Sequence, residues 1–516
     1  MGRPHRVRPA SAAGRELARR LHNRREFLKL LGSGLGYTAL ASIPGCGGGG
    51  GGGGTPTAPP AIPAASGEYT ALKRTSFGVR RDELTAMQSL GIDAYLEQQL
   101  AYEAIDDSTL ETAIEALCPL TTQSPAQLLA GFPDNIEPVA RQMIAAAQYR
   151  QIFSPRQMYE VMVEFWSDHF NIDPSKGDCK WLKVADDREV IRKHALGKFS
   201  DMLRASALSP AMLWYLDGRV NHRMHPTEQP NENYARELLE LHTLGVHGGY
   251  TQQDVMEVAR CLTGWTVRST NQKPYFEIGK VEFQIQKHDC DEKQVLGKTI
   301  PAIPATASKP ERERLGQSEL DRVLRIVTQH PATARYLAGK LCQRFIADEP
   351  PETATQAVAA EFARTDGDIR ATLRALFATA EFRSQRGNKF KRPFHYIAST
   401  LRAAGAKTDA GLNIIDYLRR MGHAPFSYPT PDGYPEPAAP WLGTLLWRWN
   451  FALAISENQL KGTKINAAKL QERAGNDDGL MAHLLGRKPS AEETQAYHES
   501  GAGLALILAS PAFQMC

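Results

Sequence analysis

From about Tyr69 onward, apolar residues recur at three- and four-residue spacing, and Ala, Leu, Arg, Glu and Gln are abundant. That period predicts a mainly α protein: a large multi-helix globular body with few short strands. Thr251-Gln252-Gln253-Asp254 has the form of a capping box, with a hydroxyl at the cap and a carboxylate three residues on. Val255, Val258, Ala259 and Leu262 then form the apolar face, and Gly264 marks a stop. His330-Pro331 opens another helix, with Ala334, Leu337, Leu341 and Phe345 inward and Arg335, Lys340 and Arg344 outward. The best strand candidate is 275–285, in an irregular stretch that continues to Pro304. No 20–50-residue repeat is evident. The proline-rich stretch 425–440, with the turn Pro431-Asp432-Gly433, divides a main body at 68–424 from a smaller C-terminal helical part at 425–516.

Residues 231–244 separate cleanly on an α-helical wheel. Glu232, Asn233, Arg236, Glu237, Glu240 and Thr243 fill an arc of about 140°. Tyr234, Ala235, Leu238, Leu239, Leu241 and His242 fill the opposite face. Glu232, Arg236 and Glu240 make an i, i+4, i+8 ladder in which one guanidinium can meet two carboxylates. The run Glu-Leu-Leu-Glu-Leu-His lacks the i, i+3 or i, i+4 ligand spacing of a single-helix metal site, since Glu240 and Glu237 stand two and five residues before His242.

His242 lies mid-stripe, and the same wheel over 158–170 places His169 among Met158, Met162 and Phe165. Two helices therefore aim an imidazole at the core, where an unpaired polar group costs about 1–3 kcal/mol. One reading is a pair of structural histidines bonded to neighbouring groups. The other is a buried acid–base or metal site: His169, His242, Glu237 and Glu240 are its catalytic candidates, and His169, His242, His288 and Asp289 its candidate ligands for a divalent metal. Glu232, Asn233 and Arg236 are candidates for binding a polar ligand such as a glycan, or else belong to a structural ion-pair network. Trp441, Trp447 and Trp449 are either a sugar-stacking platform or helix-packing residues. No nucleophile elbow, phosphate loop or dinucleotide-binding turn is present.

Charge changes the picture at the N-terminus. The chain has 516 residues and a formal net charge of +4. Nine Lys/Arg and two acids fall within 1–45, so the remainder holds 52 basic and 55 acidic residues, a pattern that excludes a general affinity for nucleic acid. Asn23-Arg24-Arg25-Glu26-Phe27-Leu28-Lys29 is a twin-arginine pattern, and the apolar stretch behind it is shorter than the ~20 residues that span a bilayer. Residues 1–45 are thus expected to be a twin-arginine signal peptide, read by the twin-arginine export machinery through Arg24 and Arg25. Ile43-Pro44-Gly45-Cys46 resembles a lipobox, which makes Cys46 the candidate lipidation site and membrane anchor. Gly47 to Gly54 and the Pro/Ala-rich run after them read as a flexible tether over 46–67. The six other cysteines are scattered without a CxxC pair, compatible with at most one long-range disulfide and not with a cysteine metal cluster.

Seven motifs, in order, carry a family resemblance: Lys73-Arg74-Thr75-Ser76-Phe77-Gly78; Phe165-Trp166-Ser167-Asp168-His169-Phe170; the long run from Asn231 to Gly245; Leu262-Thr263-Gly264-Trp265; His288-Asp289; His330-Pro331-Ala332-Thr333-Ala334; and Pro431-Asp432-Gly433. With these the chain resembles the bacterial domain of unknown function 1800 family over most of Tyr69 to Cys516. The resemblance implies a mainly helical exported protein, often encoded beside a sulfatase-like exported family that would be a partner, and it implies no established activity. The expectation is an exported protein of the periplasm or cell envelope. Either it is an enzyme with a buried His/acid site, or it is a non-enzymatic, membrane-tethered component that binds a partner protein or surface polysaccharide.

Overall fold

The computed structural model describes residues 65–225, 227–270, 274–384 and 389–516. Arg24 and Arg25 of the expected signal peptide, the candidate lipidation site Cys46 and nearly all of the expected tether lie outside the described residues. Among those described, 25 α-helices alternate with short connections, and the only sheets are three two-stranded antiparallel pairs. The mainly α class follows from the 3.6-residue apolar period, which buries one stripe of each helix against its neighbours.

One hydrophobic cluster runs through most of the molecule and takes residues from both sides of the proline-rich stretch, from Leu72, Trp166 and Leu239 to Phe451, Leu484 and Phe513. The helix Gly67–Thr75 shows how distant segments meet. Its Tyr69 hydroxyl donates to the Leu484 carbonyl at 2.6 Å, and Arg74 donates to the Phe345 carbonyl at 2.8 Å. The capping box at Thr251 forms as spaced, with both reciprocal hydrogen bonds, and starts the helix Gln252–Cys261. The helix Pro331–Phe345 begins at a His330 cap and buries Ala334, Leu337, Leu341 and Phe345.

Four local expectations are corrected. Arg344 does not face outward but is 6% exposed, because carboxylates from two other segments reach it. Lys340 is only half-buried, folded back against His169. The candidate strand at 275–285 narrows to Val281–Phe283, paired with Trp265–Val267 and flanked by single 3₁₀ turns. The 231–244 segment starts as the α-helix Asn233–Glu237 and continues as the π-helix Leu238–Thr243, where Leu244 N–H bonds the Leu239 carbonyl. A π-turn takes one extra residue, so it rotates everything after it relative to an α-wheel. That is why Thr243, on the polar arc of the wheel, is fully buried, and why Leu241, on its apolar face, is half-exposed. His242 stays inside. Its neighbours Tyr234, Ala235, Leu238 and Leu239 are buried too, while Glu232, Asn233, Arg236, Glu237 and Glu240 form the half-exposed side.

The six cysteines of the body are all free thiols, five of them buried. Trp441 is buried and stacked on His423, and Trp447 packs on Tyr417 and under Arg420, so neither presents an open ring face to solvent.

Candidate functional site

The second and seventh of the sequence motifs converge, together with the end of the Asn231–Gly245 run and the later turns of the helix that the sixth motif opens. The helix Gln157–His169 ends at Asp168 and His169, the π-turn supplies His242, the helix Pro331–Phe345 supplies Lys340 and Arg344, and the 425–440 loop closes over them. The loop is held by backbone recognition: Asn171 donates to the carbonyls of Tyr428 (2.9 Å) and Thr430 (2.7 Å), and the Tyr215 hydroxyl to that of Pro429 (2.9 Å). Gly433 sits with φ +71° so close that a Cβ there would lie 2.1 Å from the Asp168 carbonyl oxygen. Only glycine permits that approach without moving the loop.

His169 and His242 are 1% and 0% exposed, with ring centroids 6.2 Å apart. The tautomer of His169 follows from its partners. Nε2 lies 3.2 Å from the His242 carbonyl, which only accepts, so Nε2 carries the proton; Nδ1 then accepts from Lys340 Nζ at 3.1 Å. Burial, reinforced by Lys340 and His242, holds the His169 pKa well below the ordinary value, which keeps the ring neutral. Burial takes His242 down to about 3, and Lys340 adds to the effect. Neither nitrogen of His242 has a hydrogen-bond partner among the described residues, and the adjacent Tyr234 hydroxyl is in the same condition.

Behind this pair is a network of alternating charge. Arg392 donates to Asp168 at 2.8 Å and also to Glu164; Arg344 meets Glu164 at 2.7 Å and Glu436 at 3.2 Å; Lys389 joins Glu436 (3.2 Å) to Asp348 (3.0 Å). Counting Lys340, four cations face the four carboxylates Glu164, Asp168, Asp348 and Glu436. The balance is not uniform. Burial outweighs the pull of Arg392 at Asp168 and, helped by Glu164, raises its pKa to about 7. Burial also pushes Lys340 down to about 8, against the raising influence of Asp168, Glu436 and Asp432. An acid and a base, each displaced toward neutrality, thus stand on adjacent helices. Both reach partial exposure: Asp168 is 20% exposed and borders a cavity of about 30 Å³ with Ser167, His423 and Tyr434. Asp432 is exposed, and its charge acts on Lys340, Tyr336 and Glu237.

Two groups of side chains bear on the metal question. Glu164, Asp168 and His423 bring donor atoms within 4.8 Å of one another. Both carboxylates are already occupied by Arg392 or Arg344, and His423 Nδ1 accepts the Phe394 N–H at 3.2 Å. A dication there would face two guanidiniums, so this donor set does not suit one. His169 likewise offers a protonated Nε2 on one side and an ammonium on the other.

The structure places the sequence candidates in four groups. His169 and His242 are together. Glu237 and Glu240 lie on the half-exposed side of the same turn; burial, with Glu240 beside it, raises the Glu237 pKa, and Glu240 accepts from the Tyr250 hydroxyl at 3.4 Å. Glu232 and Arg236 pair at 2.8 Å and share Gln252, while Asn233 donates to Asp217 at 3.3 Å. His288 and Asp289 belong to a different cluster: His288 bonds Thr263 and lies 3.4 Å from Glu319, which also pairs with Lys293 at 2.8 Å. Asp289 is held by Arg260 (2.7 Å) and Arg223; their guanidiniums overcome burial and take its pKa to about 2. Sequence reasoning passed over Glu164, Asp168, Lys340, Arg344, Arg392, His423 and Glu436. Asp168 was legible, adjacent to His169 within a quoted motif, and Glu436 follows the Pro431-Asp432-Gly433 turn by three residues; the others carried no comparable signal.

A mainly α body with a buried cluster of histidines and acids is the class that fold and site define. The family described as "Protein of unknown function (DUF1800)" matches residues 70–515, and the chain belongs to it. No curated protein and no solved structure matches the chain.

Proposed function

We propose that this protein is an exported cell-envelope enzyme, tethered to the membrane through Cys46, that performs acid–base chemistry with Asp168 and Lys340 on a polar, hydroxyl-bearing substrate. This reading is supported by the meeting of Asp168, His169 and Lys340 at the junction of four segments, with Lys340 Nζ 3.1 Å from His169 Nδ1, and by the displacement of Asp168 to about 7 and Lys340 to about 8. General acid–base catalysis is most effective when the pKa values of the two groups lie near the working pH. In this reading His169, fixed as the Nε2–H tautomer, holds Lys340 in place. His242 supplies the imidazole with free nitrogens. Asp432, Glu237 and Glu240 form an acidic rim that suits hydroxyl groups or cations better than anions. The donor geometry gives no support to a resident dication, and no step is assigned to one. Export rests on the twin-arginine pattern at Arg24 and Arg25, and a sulfatase-like exported partner rests on the family resemblance alone.

The test needs no knowledge of the substrate. Pulse labelling of the folded protein with an amine-reactive reagent across pH 6–11, read by peptide mass spectrometry, should show Lys340 reacting with an apparent pKa near 8. Chromogenic esters, glycosides, phosphate esters and sulfate esters then serve as probes, with Asp168→Asn and Lys340→Met as controls. A Lys340 that titrates like an ordinary surface lysine would sink the proposal. The competing role, a non-enzymatic tethered component, predicts no turnover of any probe that Asp168→Asn abolishes. For the anchor, Cys46→Ser should let high salt extract the protein from the membrane fraction, while the parent stays bound.

A further inference from the structure

A cleft of about 1110 Å³ lies away from the His/acid centre, between the helix Arg81–Leu90 and the helices Ala467–Ala474 and Asp477–Leu485. Its charged lining is one-sided: Arg80, Arg81, Arg402, Lys469 and Arg473 against the single acid Asp82. Arg402 is buried in the wall and committed to Glu83, and Arg80 lies 3.7 Å from Asp82. Arg81, Lys469 and Arg473 are exposed and form no ion pair among the described residues; of their side chains, that of Arg81 donates to the Arg473 carbonyl at 3.0 Å. Three uncompensated cations in one cleft stand out on a body that has slightly more acids than bases. Leu84, Ala403, Leu470 and Ala474 give the floor an apolar component.

The position of the cleft selects its ligand. Ser66 caps the first described helix, and Tyr69 on that helix is tied to Leu484, the neighbour of His483 in the cleft lining. The chain therefore comes out of the 46–64 segment beside this cleft. A Gly/Pro-rich stretch of that length has an average span of roughly 25 Å. We infer that the cleft receives the anionic headgroup of a membrane phospholipid, so that the body lies against the bilayer to which Cys46 ties it. Guanidinium and ammonium groups bind the phosphate oxyanions, and the leucines and alanines accept the adjoining glycerol and acyl carbons. This rests on the tether reading, and does not depend on the acid–base centre.

The experiment uses the full chain carrying Cys46→Ser, which removes the covalent anchor as a source of binding. Co-sedimentation with vesicles of phosphatidylglycerol and phosphatidylethanolamine should exceed that with phosphatidylcholine alone. Replacing Arg81, Lys469 and Arg473 together by Ala should weaken it on the order of a hundredfold, roughly five-fold per cation. Sodium chloride should release the protein as the cations are screened. Equal binding to both vesicle types, equal binding by the triple variant, or an affinity for inorganic phosphate that matches the vesicle affinity would each overturn the inference. Fractionation of cells expressing Cys46→Ser reports separately on the anchor.

Discussion

Lys340 makes a sharp prediction because a structural role and a functional one give opposite signs. In the folded protein its ammonium is held at about 8 instead of 10.5, a displacement equivalent to roughly 3 kcal/mol of unfavourable burial for the charged form. Replacement by Met keeps the length of the side chain and removes the charge. It also removes the hydrogen bond to His169 Nδ1, a loss of about 1–2 kcal/mol. The net expectation at pH 7 is that Lys340→Met is more stable than the parent by about 1–2 kcal/mol. The pH dependence isolates the cause. Between about 8 and 10.5 the unfolded chain holds the Lys340 proton and the folded chain does not, so the parent gains stability from this residue as pH rises through that window. The advantage of the variant should therefore shrink by about 2 kcal/mol between pH 7 and pH 10. Urea unfolding of both proteins at the two pH values, followed by tryptophan fluorescence, measures this directly. If Lys340→Met is destabilised at pH 7, or if its advantage does not change with pH, the ammonium is an ordinary structural partner and the acid–base assignment fails.

Arg392→Leu should be among the most damaging single changes, costing about 3–5 kcal/mol, because it leaves Glu164 and Asp168 short of their shared buried cation; thermal unfolding reads the loss, and Arg392→Lys, with one point charge for two carboxylates, should restore only part of it. Gly433→Ala should cost at least ~1–3 kcal/mol, since its backbone φ is positive and its Cβ would meet the Asp168 carbonyl; limited proteolysis should find new cleavage within 425–440. Glu436, whose pKa Arg392, Arg344 and Lys389 hold low against the effect of burial, contributes stability that is complete above about pH 4.5 and is lost as pH falls toward its folded value. Acid unfolding of Glu436→Gln should accordingly show a flatter dependence below pH 4.5 than the parent, and an identical profile would show that the ion pairs of Glu436 carry no weight.

The fold class was legible because apolar period, caps and prolines all act locally. The capping box at Thr251 and the inward face Ala334, Leu337, Leu341, Phe345 needed nothing beyond neighbouring residues. The centre was half legible. His169 and His242 stood out because an imidazole in an apolar stripe is conspicuous on a wheel. Lys340 and Arg344 did not, since a cation on the polar side of a helix looks solvated until another segment supplies its carboxylate. The partners of Arg344 are 180 residues before it, at Glu164, and 92 after it, at Glu436, distances at which no periodicity carries information. The π-turn escaped for a related reason: the composition of Leu238–Thr243 suits an α-helix, and packing adds the extra residue. His288 and Asp289 formed a tempting pair in sequence, yet Thr263, Glu319, Arg260 and Arg223 hold them in a different cluster.

The π-turn also bears on how this chain can change by descent. It amounts to one residue more than an α-helix of the same rise would hold. Deleting a single codon within Leu238–Thr243 would let the segment relax to an α-helix while the flanking Tyr234 and the capped helix at Gln252 kept their own ends. Because the extra residue of the π-turn is what rotates the chain, its removal and the relaxation to an α-turn cancel, and His242 would keep its inward face. Surface loops in general gain or lose a residue at modest cost. At this turn the fold can absorb the change as well, so the identity of His242 should be held more strictly than the length of the segment that carries it.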